Sequence, residues 1–209
     1  MNREDLWLAT HNKDKVKEFY DLLGDLPFRL RLIEEFSSDY APPEETGKTF
    51  LENALIKLQA FKKEKPGAWI LAEDGGIEVD ALDKRPGVYS ARYYSETATW
   101  PERLKALLKE MEQVPEPLRT AHMTSVIAVG TPDQKTLQAQ GVVSGSLAFS
   151  MRGHEGFAYD WLFIPNGHDQ TVGELGYPLK NKFSHRYKAV EELKKKLGQY
   201  FSQQKSAVL

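Results

Sequence analysis

The 209-residue chain contains no cysteine, which removes disulfides, thiolate nucleophiles and zinc–thiolate centres together. Any metal would have to be held by oxygen or imidazole. Long apolar runs are also missing: stretches such as Ala68–Ala72 fall far short of the ~20 residues that a membrane-spanning helix needs. The acidic start Met1-Asn-Arg-Glu-Asp5 is unlike a signal peptide, so a cytoplasmic protein is expected. Nor is there an excess of one charge, since 28 Lys and Arg face 30 Asp and Glu for a net charge of -2. That balance gives no electrostatic footprint for a nucleic-acid duplex or an anionic membrane. A small anionic ligand held by local charges remains compatible with it.

Repeats, low-complexity segments and linkers are absent as well. With 41% hydrophobic and 28% charged residues, the composition is that of a globular protein long enough to bury roughly 70% of its unfolded surface. One elaborated domain over residues 1–209 is expected.

The order of elements follows from periodicity. Leu6 to Ala9 reads as a strand, Thr10 to Asn12 as a turn, and Val16, Phe19, Tyr20 and Leu23 recur at helical spacing up to Gly24. Phe28, Leu30 and Leu32 alternate as a second strand. After Pro42-Pro43, the capping-box pattern Thr49-Phe-Leu-Glu52 opens a helix to about Lys65. A buried strand, Ala68 to Ala72, is then expected, followed by a turn at Glu73 to Gly76 and a half-exposed strand through Ile77 and Val79. A helix over Trp100 to Glu112 and a hairpin from His122 to Val143 follow. Leu147, Phe149 and Met151 alternate as a further strand, and a last helix runs from about Tyr187 to Leu197 before a frayed tail. Helices and strands alternate early while strands follow strands later, which predicts an α/β fold with a mixed sheet and helices on its faces.

Four places could carry chemistry. The turn Thr10-His-Asn-Lys-Asp-Lys15 leads into a helix whose N-terminus favours an anion, with Lys13 and Lys15 adding charge. Equally, Asn12 could simply cap the helix and the lysines be solvated. Glu44-Glu45 and Glu73-Asp74 supply the oxygen ligands a hard cation such as Mg²⁺ takes, and Gly75-Gly76 lets a ligand approach the backbone. The blander alternative for Glu73-Asp74 is a solvated turn. Phe157, Tyr159 and Asp160, with Trp161 beside them, suit a flat heteroaromatic ligand, although aromatics are more often core. Lys180, His185 and Arg186 gather positive or titratable groups ahead of a helix, or form its ordinary surface. His11, His122, His154 and His168 lack metal-ligand spacing.

Taken in order, these segments resemble the inosine triphosphate pyrophosphatase family. Ala9-Thr-His-Asn-Lys-Asp-Lys15 is similar to its phosphate loop, Thr-x-Asn-x-x-Lys. Glu45-Thr-Gly-Lys-Thr-Phe-Leu-Glu-Asn-Ala54 resembles its Glu-Thr-Gly-x-Thr-Phe-x-Glu-Asn-Ala block. Leu71 to Asp74, Val79 to Leu82, Pro86-Gly-Val-Tyr-Ser-Ala-Arg92, Phe157 to Asp160 and Ser184-His-Arg186 continue the correspondence over nearly the whole chain. The resemblance implies an elongated α/β fold with two lobes around a nucleotide-binding cleft, and a homodimer. It also implies Mg²⁺-dependent hydrolysis of deaminated purine nucleoside triphosphates, those of inosine, deoxyinosine and xanthosine, to a monophosphate and pyrophosphate. By matching positions, Thr10, Asn12, Lys15 and Lys57 would contact phosphates. Glu45 and Asp74 would be metal-side carboxylates, with Asp74 also the catalytic base. Gly75 would face the substrate, and Phe157, Ala158, Tyr159, Asp160, Lys180, His185 and Arg186 would form the base pocket. Arg186 and His185 would then prefer a 6-oxo purine over adenine, because a guanidinium only donates hydrogen bonds.

This sequence departs from the family's pattern at three positions. Gly75 stands where bacterial relatives commonly have Ser, Ala158 where Gly is usual, and Trp161 where Pro is usual. These changes bear on base preference more than on the metal and phosphate positions. Two other readings compete: a nucleotide pyrophosphatase with a different base preference, and a nucleotide-binding protein with attenuated turnover. The related septum-formation-inhibitor-like enzymes carry an N-terminal Ser-x-Arg-Arg pattern that is absent here. Intact Asp74, Glu45 and Lys15 weigh against lost turnover.

Overall fold

The computed structural model describes residues 3–37 and 40–206. Its six strands form one sheet in the order β2-β1-β3-β4-β5-β6. In chain order the first elements are β1 (Glu4–Leu8), α1 (Lys13–Leu23), β2 (Phe28–Leu32), α2 (Ile33–Phe36), α3 (Phe50–Glu64) and β3 (Trp69–Val79). There follow α4 (Trp100–Glu110), β4 (Thr120–Gly130), β5 (Thr136–Leu147), β6 (Phe163–Pro165), α5 (Val172–Leu175), α6 (Tyr177–Phe183) and α7 (His185–Ser206). β1 pairs parallel with β2 and β3, whereas β5 and β6 are antiparallel, so the sheet is mixed as its sequence predicts. Among the described residues no helix is long and apolar enough to cross a membrane.

The chain divides into two compact units. The first comprises Met1–Asp74, Ser125–Gly141 and Arg186–Leu209, and the second Gly75–Thr124 and Val142–His185. In the first unit, strand alternation splits the core between the two faces of the sheet. Leu6, Leu8, Trp69, Leu71, Ile127 and Val129 face one way, where Phe19, Leu22 and Leu23 of α1 and Val190, Leu193 and Leu197 of α7 cover them. Trp7, Ile70, Ala72 and Ala128 face the other way, against Ala54, Leu58 and Phe61 of α3. The core of the second unit gathers Ile77, Val79, Leu104, Leu107, Met123, Val143, Tyr159 and Phe163.

Three expectations are corrected. The turn foreseen at Glu73 to Gly76 does not occur: β3 runs unbroken from Trp69 to Val79. Glu73 and Asp74 are buried within it, and side chains of Ser125, Arg186, Lys15, Asn53 and Lys57 partner them, so the strand has no need to turn out to solvent. The strand expected through Leu147, Phe149 and Met151 ends at Leu147, and Phe149 is exposed. The C-terminal segment is helical through Ser206 rather than frayed from Phe201. Tyr200 and Phe201 explain this, since their rings lie 5.4 and 5.7 Å from that of Trp69, and such aromatic pairs add about 0.5–1.5 kcal/mol each beyond area burial. The four- to seven-residue helices α2, α5 and α6 and the three-residue strand β6 are too short to show a period in the sequence.

Candidate functional site

In the first unit, one block of sequence builds most of the site. Thr49 caps α3: its hydroxyl accepts from Glu52 N–H at 3.1 Å, while the Glu52 carboxylate accepts from Thr49 N–H at 3.0 Å. The cap fixes where α3 starts, and therefore where Asn53 and Lys57 point. Four residues apart, these two share one helix face. Asn53, fully buried, accepts from Gly47 N–H at 2.8 Å and donates to Asp74 at 3.1 Å. A Cβ on residue 47 would lie 2.6 Å from the Asn53 amide oxygen, so Gly47 is what allows the loop to hold that amide. Lys57 Nζ lies 2.8 Å from Glu45 and 3.2 Å from Asp74. Burial alone would lower the Lys57 pKa, but the Asp74 and Glu45 carboxylates outweigh it and hold it above the usual lysine value. Asp74 is raised above an ordinary carboxylate chiefly by burial, against the pull of Lys57.

Beside Asp74, Glu73 anchors a second buried network. Its Oε1 accepts from Ser125 Oγ at 2.8 Å and from Arg186 Nη2 at 3.1 Å, and its Oε2 lies 2.8 Å from Lys15 Nζ. Arg186 also pairs through Nη1 with Glu18. Burial would raise the Glu73 pKa, yet Arg186 and Lys15 hold it well below the usual carboxylate range. Arg186 is raised despite its burial, by Glu73 and Glu18.

At the turn before α1, capping is the role the geometry displays. The Asn12 side chain accepts from Asp14 N–H at 3.0 Å and Lys15 N–H at 3.1 Å, and the Thr10 hydroxyl accepts from Asn12 N–H at 3.2 Å. The cap orients Lys15 toward Glu73, and Glu18 lies three residues further along the same helix face.

The second unit holds the aromatic segment. Asp160 caps its own 3₁₀ turn, Ala158–Trp161, by accepting from Phe157 N–H at 2.8 Å, and it accepts from Lys180 Nζ at 2.6 Å. That ammonium also stacks over the Phe157 ring, 4.7 Å from its centroid. Asp160, Lys180 and His185 border one small cavity of about 10 Å³. The Tyr159 hydroxyl donates to Ser90 C=O at 2.9 Å, and burial holds its phenol above the usual range. Ala158 has φ of 57°, the left-handed region that favours glycine. Trp161 donates through Nε1 to Glu155 C=O at 3.0 Å, a contact the usual Pro could not make. Gly75 is in β3, half-buried.

The metal expectation can be weighed against this donor set. Among the described residues no three His, Cys, Asp or Glu side chains gather as a metal cluster. Glu45 and Asp74 nevertheless converge on one cation, the Lys57 ammonium. Two carboxylates completed by water and phosphate oxygens are a common Mg²⁺ arrangement, so the residues fit.

A profile of the Ham1 family matches residues 6–196. The chain belongs to the Ham1 family. Ham1-family relatives include a dITP/XTP pyrophosphatase of Leifsonia xyli subsp. xyli, 41% identical over 182 residues that cover 87% of this chain and 89% of that one. Another, from Geobacter sulfurreducens, is 43% identical over 193 residues, covering 92% and 96%. The structure of a HAM1 protein from Coxiella burnetii matches with a TM-score of 0.84 at 37% identity, over 94% of this chain and 99% of that one. The α/β architecture with a central mixed sheet is thus that of the Ham1 fold.

Sequence reasoning missed several residues. Asn53 had a signal, because it stands one helical turn before Lys57. Glu18 had one too, at three residues from Lys15. Ser125 carries no signal in the sequence beyond being a polar residue next to the apolar run Val126 to Val129. Arg186 was expected beside Lys180 and Asp160, but its Nε, Nη1 and Nη2 donate to Glu73 and Glu18. Only side-chain geometry reveals that.

Proposed function

We propose that the protein hydrolyses deaminated purine nucleoside triphosphates, those of inosine, deoxyinosine and xanthosine, to the monophosphate and pyrophosphate, with Mg²⁺. The observation that carries this reading is the partly buried cluster in which Lys57 bridges Glu45 and Asp74 beside the buried Glu73–Arg186 pair and Lys15. Its support is the name dITP/XTP pyrophosphatase borne by relatives at about 40% identity.

Lys15, Lys57 and Arg186 face the four carboxylates of Glu18, Glu45, Glu73 and Asp74. Such a cluster carries one more negative than positive charge and would repel a polyphosphate on its own. Mg²⁺, held by Glu45 and Asp74, would supply the missing positive charge and polarise phosphate oxygens. Lys15 and Lys57 then turn from carboxylates to phosphates, with Thr10 and Asn12 fixing the turn that presents Lys15. Asp74 is also placed to orient the attacking water and take its proton, and Asn53 holds the carboxylate in place for it. Phe157, Ala158, Tyr159, Asp160, Lys180 and His185 receive the base, and Gly75 leaves the backbone open to the substrate. The acting form is a homodimer, to be checked by light scattering.

The test is chromatography of the products from inosine triphosphate with Mg²⁺. Inosine monophosphate and pyrophosphate are expected. A diphosphate and orthophosphate, or no turnover on any deaminated purine triphosphate, would overturn the proposal.

A further inference from the structure

The segment Pro86–Arg92 matches the family's pattern and holds no residue assigned to metal, phosphate or base. Its centre is Ser90, which is 4% exposed. The Ser90 hydroxyl accepts from Ile77 N–H at 2.9 Å and donates to Gly87 C=O at 2.7 Å, closing the 3₁₀ turn Gly87–Tyr89 on itself. Its carbonyl accepts from the Tyr159 hydroxyl at 2.9 Å. Three segments of the second unit therefore meet on one residue: the end of β3, the turn 87–89 and the 3₁₀ turn that carries Tyr159 and Asp160.

The fit on the β3 side is close. A Cβ on residue 76 would lie 2.1 Å from Ser90 Oγ, 2.6 Å from Ser90 Cβ and 2.9 Å from Gly87 C=O. Glycine at 76 is thus the condition for Ser90 to reach Ile77. On the other side Tyr159 is itself confined, 2% exposed with its ring edge-on to Trp100 at 5.6 Å. The phenol is held above its usual range by burial, so it remains a donor throughout the working pH range.

We propose that Ser90 is a positioning residue that ties the placement of Tyr159 to the placement of β3 at Gly76-Ile77, two and three residues beyond Asp74 on the same strand. Tyr159 belongs to the segment assigned to the base, and Gly76-Ile77 continue the strand that carries Asp74, the residue assigned to water, so the hub links the base segment to that strand. The inference deepens the function proposed above and rests on it. A merely structural Ser90 would cost stability, and Tyr159→Phe would then act through KM alone.

The experiment is a double-mutant cycle of Ser90→Ala and Tyr159→Phe, read by kcat and KM for inosine triphosphate and by NMR-detected exchange of the Ile77 amide. Tyr159→Phe keeps the ring and removes one hydroxyl, and its fold is checked by the same amide spectrum. It is expected to lower kcat at least threefold and to speed Ile77 exchange at least tenfold. In the Ser90→Ala background it should add nothing to either, because the link through Oγ is already cut. Ile77 exchange unchanged by Tyr159→Phe overturns the proposal whatever the kinetics show, and so do kcat effects that simply multiply. If Ser90→Ala does not fold, the exchange rate in Tyr159→Phe decides alone. If the wild type turns over no triphosphate, the function proposed above fails while the exchange measurement still reports on the hub.

Discussion

Asn53 donates its side-chain amide to Asp74 over 3.1 Å, and its own carbonyl oxygen is taken by the backbone N–H of Gly47. Because the donor at Gly47 fixes which end of the amide is oxygen, the NH₂ group must face the carboxylate. The capped start of α3 thereby sets the orientation of a carboxylate 21 residues further along the chain.

Asp74→Asn tests what that carboxylate contributes. Removing a general base should lower kcat by at least ~10²-fold. Stability should move the other way. The pKa of Asp74 is raised in the folded state, so above that pKa its ionised form opposes folding, and a neutral amide removes the penalty. The expected result is a Tm at pH 7 equal to or above that of the wild type, with pyrophosphate release nearly abolished. Near-normal turnover in the folded variant would remove Asp74 from the mechanism.

Glu73 makes the opposite prediction one residue away. Its folded pKa is depressed below 4.5 by Arg186 and Lys15, which outweigh burial. Its contribution is therefore complete above about pH 4.5 and drains away as pH falls through the lower folded value. Glu73→Gln should cost about 3–5 kcal/mol at pH 7, because it leaves Arg186 and Lys15 without their shared partner. It should also flatten the acid side of the Tm-against-pH curve. A variant that loses Tm equally at pH 7 and pH 3.5 would show that the pairing is not what Glu73 contributes.

The contrast between these neighbours explains what could be read from sequence. The strand–turn–helix at residues 6–23, the capping box at Thr49 and the alternation in β1 and β3 are local patterns, and local patterns are visible in one dimension. The carboxylate pairs Glu44-Glu45 and Glu73-Asp74 are legible on their own as oxygen donors for a hard cation, whereas Lys57 is legible only through motif resemblance. A turn at Glu73 to Gly76 was the natural reading, because two acids and two glycines normally seek solvent. They stay in the strand because Ser125, Arg186, Lys15, Asn53 and Lys57 supply their partners. Of these, Ser125, Arg186 and Lys15 all stand more than 50 residues from Glu73 in the chain, and no spacing rule reports such partners.

Ala158 offers a test of backbone strain in the base segment. A residue with a Cβ at φ of 57° costs roughly 1–2 kcal/mol relative to a right-handed conformation, whereas glycine bears no such cost there but loses more chain entropy on folding. The net effect of Ala158→Gly should be a gain of about 0.5–1 kcal/mol in unfolding free energy, measured by urea denaturation. A loss of stability would mean that packing of this buried methyl outweighs the strain.

Arg186 decides between two roles that the sequence left together. A guanidinium reading the base would discriminate a 6-oxo purine from adenine, because only the oxo group accepts its hydrogen bond. In the structure Nε and Nη2 donate to Glu73 at 3.3 and 3.1 Å, and Nη1 donates to Glu18. Turning those donors to a base would leave Glu73 and Glu18 buried without them, and a buried carboxylate stripped of its cation is strongly disfavoured. Arg186→Ala should therefore lower kcat/KM for inosine and adenosine triphosphates by the same factor, through the lost placement of Glu73 and Lys15, leaving their ratio within about twofold of the wild type. One lost base contact would instead narrow that ratio roughly ten- to hundredfold, the equivalent of about 1–3 kcal/mol for an unsatisfied buried donor. A collapsed ratio would thus assign Arg186 to the base and require Glu73 to find another partner when substrate binds.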